Sequence, residues 1–289
     1  MLEIKALSKK YGEKLIAVNE VSMHLQRGVI GLIGHNGAGK TSLMQMLATL
    51  SRPTQGEIIF QGVDIVKHPD AMRTRLGYLP QDFGVYPNLS ALEFLQYFAA
   101  LKGVRDSSQI ETLLELVNLT EHAHRIAATF SGGMRRRLGI AQALLGEPDI
   151  LIVDEPTAGL DPEERIRFRN LLADFGAEKL VLISTHIVSD VESIADQLAV
   201  MRQGRLLSID TPEAMIARAH GQIWSAKMSA SELDLLRSQV QILQTQKQGE
   251  WLQVKMAHGC SPCAQAELLQ PTLEDALMAQ RYAVAGEVC

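Results

Sequence analysis

A glycine-rich turn between an apolar segment and a helical pattern constrains this chain more than any other feature. Residues 29–33 are continuously apolar, which predicts a strand buried on both faces. From Thr41 to Leu50, apolar residues recur at helical spacing. The turn between them fits the pattern G-x-x-x-x-G-K-[ST] and consists of Gly34, His35, Asn36, Gly37, Ala38, Gly39, Lys40 and Thr41. A strand, a turn and a helix in this order predict a βα unit that binds phosphate groups.

The residue types of this turn, called the phosphate turn below, suit that chemistry. Glycines let backbone N–H groups approach phosphate oxygens, and the following helix adds the positive end of its dipole. We expect Lys40 to reach the β- and γ-phosphates of a nucleotide and Thr41 to offer its hydroxyl to Mg²⁺. Ser42 completes the predicted ATP-binding segment. A chance glycine-rich turn is the alternative, but the flanking strand and helix argue against it.

A pair of acids follows a second continuous apolar segment. Residues 150–153 predict another buried strand, and Asp154 and Glu155 stand at its carboxyl end, where ligands bind in open α/β sheets. We expect Asp154 to hold Mg²⁺ and Glu155 to act as the general base that polarises the attacking water. A plain strand end is the alternative, and the phosphate turn upstream argues against it.

A third motif begins a predicted helix. Ser131, Gly132 and Gly133 predict an anion-binding nest at the helix start. Met134 and the three arginines at 135–137 follow directly. Taken alone, this motif fits a helix N-cap followed by a solvated basic turn better than an anion-binding nest.

The wider pattern predicts an α/β chain of two parts. Residues 2–7 and 15–25 alternate apolar and polar residues, as half-buried antiparallel strands do. Farther along, strands and helices alternate, which predicts a parallel sheet with helices on its faces; one of these helices is expected after residue 184, to about Asp196. A helical block at about 82–145 interrupts the alternation as an inserted subdomain. We expect a main domain over 1–220 and a small α+β appendage over 221–289.

The net charge and the number of cysteines indicate which partners and which cellular compartment suit this chain. The chain has 289 residues and a net charge of −5, which disfavours nucleic-acid phosphates as the main partner. Three cysteines are too few for a disulfide framework and suit a reducing compartment. The apolar segments are far shorter than the roughly 20 residues of a membrane helix. We expect a cytosolic chain, with any membrane span supplied by another subunit.

Six motifs stand in an order that resembles the nucleotide-binding subunit of ABC transporters, over about residues 1–215. They are the phosphate turn, Gln81 after a strand, Ser131-Gly132-Gly133, Asp154-Glu155-Pro156, Ala158-Gly159-Leu160-Asp161 and Ser184-Thr185-His186. The resemblance implies a P-loop NTPase with a RecA-like parallel sheet core, an N-terminal antiparallel β subdomain and an inserted α-helical subdomain. It also implies an ATPase that couples ATP to transport.

The resemblance assigns further roles to single residues. Residues 131–134 would form the signature loop, which binds the γ-phosphate of ATP held by the opposite subunit. Gln81 would be the lid glutamine that contacts Mg²⁺ and senses the membrane partner, and Asp161 would lie in the loop that links the two sites. His186 would contact the γ-phosphate. Tyr11 would stack on adenine, although an exposed turn tyrosine fits the sequence too.

The signature loop departs from the common Leu-Ser-Gly-Gly-Gln form. Phe130 replaces the leucine and Met134 the glutamine, and methionine is poorly suited to a polar nucleotide contact. An aromatic residue before Ser-Gly-Gly-Met-Arg-Arg-Arg-Leu resembles bacterial exporters of drugs, antibiotics and polysaccharides. The implied partners are a separate transmembrane permease subunit and a second ATP-binding subunit, in a homodimer at the cytoplasmic face of the membrane. ATP and Mg²⁺ are the implied cofactors, and no nucleic acid is expected.

Two other classes of P-loop protein fit the sequence less well than the transporter does. A non-transport ATPase of the same superfamily could act on DNA or ribosomes. The DNA-repair members carry long coiled coils before the signature loop, whereas no sustained heptads lie between Thr41 and Ser131. The ribosomal members usually carry two cassettes, and this chain has one phosphate turn. A kinase-like enzyme has no use for the Ser-Gly-Gly loop or for His186.

Two weaker features stay open at the level of sequence. Cys260 and Cys263 form a C-x-x-C pair near His258, but a zinc site needs about four ligands, and Cys289 or distant histidines would have to complete it. Ordinary cysteines of an appendage are the alternative. Residues 82–86 and Leu89 would line a groove for a helix of the membrane subunit, whereas Phe83 and Tyr86 fit a local core equally well. Residues 271–277 suit a helix that packs through Leu273, Ala276 and Leu277.

Overall fold

The computed structural model describes residues 1–157 and 159–282, so Ala158 and Cys289 lie outside the described residues. The chain divides into two compact units, Met1–Ile209 and the residues from Asp210 onward. The first unit ends about ten residues before the expected boundary at 220. Among the described residues, no helix is both long enough and apolar enough to cross a bilayer.

The first unit contains strands and helices in alternation. Its strands are β1 (Leu2–Tyr11), β2 (Leu15–Leu25), β3 (Gly28–Ile33), β4 (Gln55–Phe60), β5 (Val63–Asp64), β6 (Leu76–Leu79), β7 (Ile150–Asp154), β8 (Leu180–Thr185), β9 (Gln197–Arg202) and β10 (Arg205–Asp210). Its α-helices are α1 (Lys40–Leu47), α2 (Asp70–Arg73), α3 (Ala91–Lys102), α4 (Ser108–Leu116), α5 (Gly132–Leu144) and α6 (Pro162–Gly176).

The second unit is a smaller α+β body. It contains α7 (Pro212–Ala219), β11 (Ile223–Met228), α8 (Ala230–Leu236), β12 (Gln241–Gln248), β13 (Trp251–Ala257), β14 (Glu267–Leu268) and α9 (Leu273–Tyr282). Its four strands form a sheet in the order β12-β13-β11-β14, in which the paired strands are antiparallel.

A six-stranded sheet in the order β10-β9-β3-β8-β7-β6 forms the centre of the first unit. Its inner strands run parallel, and β3, β7 and β8 are buried along their whole length, as their continuous apolar sequences predict. The pairing aligns Ile33 with Thr185 and Asp154 with Ser184, so these strands end at one level. The segments that follow β3, β6, β7 and β8 therefore emerge side by side at the carboxyl edge, which is the usual ligand site of such sheets.

The predicted antiparallel subdomain is the second sheet of this unit. Its strand order is β2-β1-β4-β5, and each strand pairs antiparallel with its neighbours. Its apolar face and that of the parallel sheet share a buried core, which includes Leu2, Leu25 and Ile58 from the one and Ile30 and Ile152 from the other. This packing confirms the prediction of half-buried N-terminal strands.

The inserted helical block begins at a complete capping box. The Ser90 hydroxyl accepts from the Glu93 backbone N–H, and the Glu93 carboxylate accepts from the Ser90 N–H at 2.8 Å. These bonds favour the ionised carboxylate and lower the pKa of Glu93. Helices α3, α4 and α5 then pack against each other. The sequence pattern at this start, Ser-x-x-Glu before an apolar stripe, is typical of a helix N-terminus.

The helix expected after residue 184 is wrong beyond a single turn. The structure has one 3₁₀ turn at Val188–Asp190. The Asp190 carboxylate is buried and accepts a hydrogen bond from the buried Thr157 hydroxyl. This hydrogen bond joins the segment to the residues after β7. A tertiary contact therefore overrides the helix that the local sequence pattern predicts.

In the second unit, α9 has the packing that its sequence predicts. Leu273, Ala276 and Leu277 are buried, and the Asp275 carboxylate accepts from the Thr272 N–H at 3.0 Å. Lys255 on β13 pairs with Asp275 at 3.1 Å. Helix α7 packs against α9, which explains why α7 belongs to this unit rather than to the first one.

The cysteine pair also lies in the second unit. The Cys260 sulfur is 3.6 Å from Nδ1 of His258, and Cys263 is half-buried beside the small apolar core of the unit. In the part of the chain that the structure describes, no three histidine, cysteine or acidic side chains converge to hold a metal ion. These contacts give no support to the zinc interpretation.

The unit boundary can be tested by two truncations. A chain of residues 1–209 should fold and bind ATP as the full chain does, because every motif of the predicted ATP site lies before residue 209. A chain of residues 1–220 keeps α7 without α9 and exposes Met215 and Ala219, which are buried in the full chain. It should aggregate more readily, as size-exclusion chromatography would report. Loss of ATP binding in a folded 1–209 chain would contradict this expectation.

Candidate nucleotide-binding site

Two glycines of the phosphate turn have backbone conformations that L side chains rarely adopt. Gly39 has φ 100° and Gly37 has φ 81°. A Cβ on Gly39 would lie 2.1 Å from the Ala17 carbonyl oxygen, and one on Gly34 would lie 2.6 Å from that of Met201. A Cβ on Gly37 would meet no atom within 4 Å. The turn is therefore held against β2 and β9 on one side and is open at Gly37.

Lys40 begins α1 and is anchored inside the turn. Its side chain is only 5% exposed, and its ammonium donates to the Gly34 carbonyl at 2.7 Å and to the His35 carbonyl at 3.3 Å. The turn borders an open cleft of about 380 Å³. The cleft is lined by residues 35–42, Tyr11, residues 15–17, Gln81 and Glu155. The structure thus brings the predicted ATP-binding residues and the predicted base to one cleft.

Asp154 has an unusual environment for a carboxylate. It is 1% exposed, and neither of its carboxylate oxygens accepts a hydrogen bond from any described residue. The buried Ser184 hydroxyl, opposite it on β8, is also without a partner among them. A buried charged group without partners is costly, and a bound cation is one of the few groups that offsets such a cost. The environment of Asp154 fits a divalent metal ion.

Glu155 is held by backbone and side-chain contacts at the strand end. Its N–H donates to the Ser184 carbonyl at 2.9 Å, and its φ is 48°, in the left-handed region. Its Oε1 lies 2.9 Å from Nδ1 of His186, which follows β8. The predicted base and the predicted γ-phosphate contact are therefore hydrogen-bonding partners in this chain.

Tyr11 lies at the rim of the cleft. Its hydroxyl is 3.4 Å from the Ser42 hydroxyl, and the Lys9 ammonium is 5.1 Å from the centre of its ring. The ring is partly exposed and stays accessible to a flat ligand. Its position beside α1 suits the predicted stacking on a base.

The signature loop lies outside this cleft. Ser131 is the N-cap of α5, and its hydroxyl accepts from the Met134 N–H at 3.2 Å. Gly132 and Gly159 line a different concavity of about 450 Å³, which Gln81 also borders. Asp161 is exposed and caps α6, because its carboxylate accepts from the Glu164 N–H at 2.8 Å. The phosphate turn and the predicted signature residues therefore lie at two different concavities of the chain.

Sequence reasoning missed Arg136, which the basic-turn alternative would expose to solvent. It is 6% exposed, and burial lowers the pKa of its guanidinium to about 10. It lies on the same helix face as the buried Gly139, Ile140 and Ala143. That helical spacing was the signal that could have placed it inside. Burial, and then the negative charge of Asp154, raise the pKa of Tyr78 to about 12, and the positive charge of Arg136 opposes this shift.

Comparison with known proteins agrees with this geometry. Residues 18–158 match the family described as ABC transporter. Over 210 residues, the chain is 38% identical to the bacitracin transport ATP-binding protein BcrA of Enterococcus faecalis, covering 72% of this chain and 68% of that protein. The chain belongs to the ABC transporter ATP-binding family. It is an ATP-binding, ATP-hydrolysing subunit with the P-loop fold that its motifs implied.

Two further relatives extend the likeness. The Nod factor export ATP-binding protein I of Cupriavidus pinatubonensis is 34% identical over 259 residues, covering 87% of this chain and 79% of that protein. The solved structure of cbiO1 from Clostridium perfringens, part of the ABC transporter complex cbiONQ, is 27% identical with a TM-score of 0.66. That likeness covers 75% of this chain and 90% of that one.

Substitution of the two strained glycines should separate folding from binding. Gly39→Ala adds backbone strain and a clash with the Ala17 carbonyl, so we expect a loss of stability of about 3 kcal/mol or more and no ATP binding. Gly37→Ala adds strain of about 1 kcal/mol and places a methyl group in the open side of the turn. It should stay folded and bind ATP more weakly. Thermal unfolding and nucleotide titration measure both effects, and equal stability of the two variants would contradict the packing at Gly39.

Proposed function

We propose that this chain is the ATP-driven motor subunit of an exporter, working as a head-to-tail pair of ATP-binding subunits on a separate membrane permease. The observation that carries the pairing is the split site. The cleft with the phosphate turn and Glu155 lacks a contribution from Ser131, which caps α5 beside a different concavity. Two copies placed head to tail would complete both sites, each with the signature loop of the other.

The direction of transport is inferred from relatives and from the signature loop. Two of the relatives are described as a bacitracin transport protein and a Nod factor export protein. Phe130 and Met134 give this chain the signature form that resembles exporters. Both observations support export as the direction of transport. The chain would work at the cytoplasmic face of the membrane, and another subunit would supply the membrane-spanning helices.

The nucleotide is bound by groups at the rim and floor of the cleft. Tyr11 offers a ring face to adenine, and the outward N–H groups of the phosphate turn bind the phosphates. Lys40 already holds its charge within the turn through the Gly34 and His35 carbonyls. An incoming triphosphate therefore meets an ammonium that needs little further ordering.

Mg²⁺ fits the donors at the carboxyl edge of the sheet. Asp154 supplies a buried carboxylate without hydrogen-bond donors, and Thr41 and Gln81 supply neutral oxygens. One carboxylate with neutral oxygens and phosphates is the usual ligand set of this ion in nucleotide sites. When bound, Mg²⁺ would neutralise the charge that develops on the phosphate oxygens.

The Glu155–His186 pair would carry out the hydrolysis step. Glu155 accepts a proton from water while the water oxygen forms a bond to the γ-phosphorus, and the bond from that phosphorus to the β–γ bridging oxygen breaks. The electron pair leaves with ADP. His186, 2.9 Å from the Glu155 carboxylate, keeps that carboxylate in place and offers its ring to the γ-phosphate.

A surface beside Gln81 suits the membrane subunit. Phe83 turns inward, with its ring 5.8 Å from that of Phe94 in an edge-on contact. Tyr86 and Tyr97 are 47% and 44% exposed and pack edge-on at 5.5 Å, and Leu101 on the next turn of α3 is 65% exposed. This exposed aromatic patch offers an apolar docking surface for a helix of the permease.

Glu155→Gln should trap an ATP-bound pair. Glutamine is nearly isosteric but cannot accept the proton, so hydrolysis should fall about 10²- to 10⁴-fold while ATP binding persists. Each triphosphate then bridges Lys40 of one chain and Ser131 of the other. Light scattering should show a dimer with ATP and a monomer with ADP.

Lys40→Ala is the matched control, because it should bind ATP poorly and stay monomeric with either nucleotide. Hydrolysis by Glu155→Gln at the wild-type rate would exclude Glu155 as the base. A monomer at high ATP and protein concentrations would exclude pairing between identical chains.

Ser131→Arg should block hydrolysis without weakening ATP binding to the monomer. Ser131 is exposed at the start of α5, so an arginine there meets no crowded surface within its own chain. It would obstruct the approach of the second chain. Nucleotide titration at low protein concentration measures monomer binding, and a rate assay measures hydrolysis. Loss of monomer binding would show that the serine acts within its own chain.

A further inference from the structure

The guanidinium of Arg136 joins two segments of the site through their backbone carbonyls. Its Nη2 donates to the Asp154 carbonyl at 2.6 Å, and its Nε donates to the Pro156 carbonyl at 3.1 Å. Its Nη1 donates to the carbonyls of Pro80 at 2.6 Å and Gln81 at 3.0 Å. The acceptors thus belong to the segment after β6 and to the end of β7.

The side chain reaches these carbonyls from the helix that carries the signature loop. Arg136 lies five positions after Ser131, in the second turn of α5. Gln81 borders both concavities of the chain, and Asp154 and Glu155 supply the predicted metal ligand and base. One buried side chain therefore connects the signature helix to the segments that hold three predicted site residues.

We propose that Arg136 is a positioning residue that fixes the Gln81 segment and the Asp154–Glu155 strand end in one frame with the signature helix. This inference rests on the proposed function of those residues. Arg136 donates to backbone carbonyls and not to the predicted ligand side chains, so it acts through Gln81 and Asp154.

The planar, forked donor set of arginine is what this position requires. The guanidinium donates from three nitrogen atoms in different directions, which suits carbonyls of two separate segments. A lysine ammonium donates from one point, and a glutamine amide has two N–H donors. Either replacement would leave some of the four carbonyls without a partner, including the buried ones of Asp154 and Pro156, and the segments would lose their fixed spacing.

Arg137 provides a matched control on the same helix. It donates to the Val117 carbonyl at 3.0 Å and to the Asn118 carbonyl at 2.9 Å, and it pairs with Glu164 at 2.9 Å. These partners belong to the region after α4 and to α6, not to the Gln81 segment or β7. Arg137→Gln therefore removes a charge and two carbonyl bonds from α5 without touching the proposed frame.

The test compares Arg136→Gln, Arg136→Lys and Arg137→Gln in the full chain. ATP affinity is titrated once with Mg²⁺ and once with EDTA, and kcat, KM and the thermal unfolding midpoint are measured beside them. For Arg136→Gln, affinity in EDTA should stay near wild type, because the phosphate turn is not contacted. The ratio of ATP affinity in Mg²⁺ to that in EDTA, called the Mg²⁺ gain, should fall about tenfold. The kcat should fall about 10- to 100-fold with little change in KM, because the groups that hold the metal ligands in place are lost.

Arg136→Lys should restore part of the Mg²⁺ gain, and Arg137→Gln should lower the unfolding midpoint without changing that gain. The proposal is overturned if Arg136→Gln matches Arg137→Gln in the titrations, or if affinity falls equally with and without Mg²⁺. Should Arg136→Gln not fold, Arg136→Lys decides, because a wild-type Mg²⁺ gain and kcat in that variant would show that the fork is not needed.

Wild type and Glu155→Gln are assayed in parallel. If Glu155→Gln hydrolyses ATP as fast as wild type, the proposed function fails. If Glu155→Gln is inactive while Arg136→Gln matches wild type in Mg²⁺ gain and kcat, the positioning role alone fails.

Discussion

The parallel register of β3, β8 and β7 is the constraint on which the whole site depends. These strands are buried on both faces, so their backbone groups must pair with one another and their ends are fixed relative to each other. The register sets Asp154 opposite Ser184 and Ile33 opposite Thr185. The phosphate turn, the acid pair and His186 each begin where one of these strands ends. Their spacing is therefore inherited from the sheet, and no loop has to create it.

That rigid edge supports local arrangements that would be unfavourable elsewhere. The Asp154 carboxylate is buried without a hydrogen-bond donor from the described chain, and Glu155 has a left-handed backbone conformation. Each costs of order 1–3 kcal/mol or more, which the surrounding structure has to offset. Glu155 lines the cleft, and Asp154 directly precedes it at the end of β7. A bound cation would supply the partner that the Asp154 carboxylate lacks, whereas the surrounding sheet must offset the backbone strain at Glu155.

The elements that sequence could predict are those whose signals are local. Continuous apolar segments gave the buried strands, and Ser90 with Glu93 gave the start of the helical block. The helix expected after residue 184 failed because the bond between Thr157 and Asp190 joins segments far apart in the chain. In the sequence, Arg136 is one of three consecutive basic residues, which fit a solvated turn. Its place on the buried face of α5 follows from helical spacing, but the carbonyls that accept from it belong to two distant segments, which no window of sequence contains.

In the proposed head-to-tail pair, the separation of the phosphate turn from the signature loop would make hydrolysis in one chain depend on the other. A cleft complete within one chain could hydrolyse ATP whatever its neighbours did. Here the phosphate turn and the signature loop lie apart, and Gln81 borders both concavities. A shift of the Gln81 segment would change the surroundings of both concavities. The Arg136 side chain, on α5, donates hydrogen bonds to carbonyls of that segment and of the end of β7, and so links all three. Under the proposed function, the predicted metal ligands and the signature loop would then move together with the Gln81 segment, and coupling between two subunits requires such joint movement.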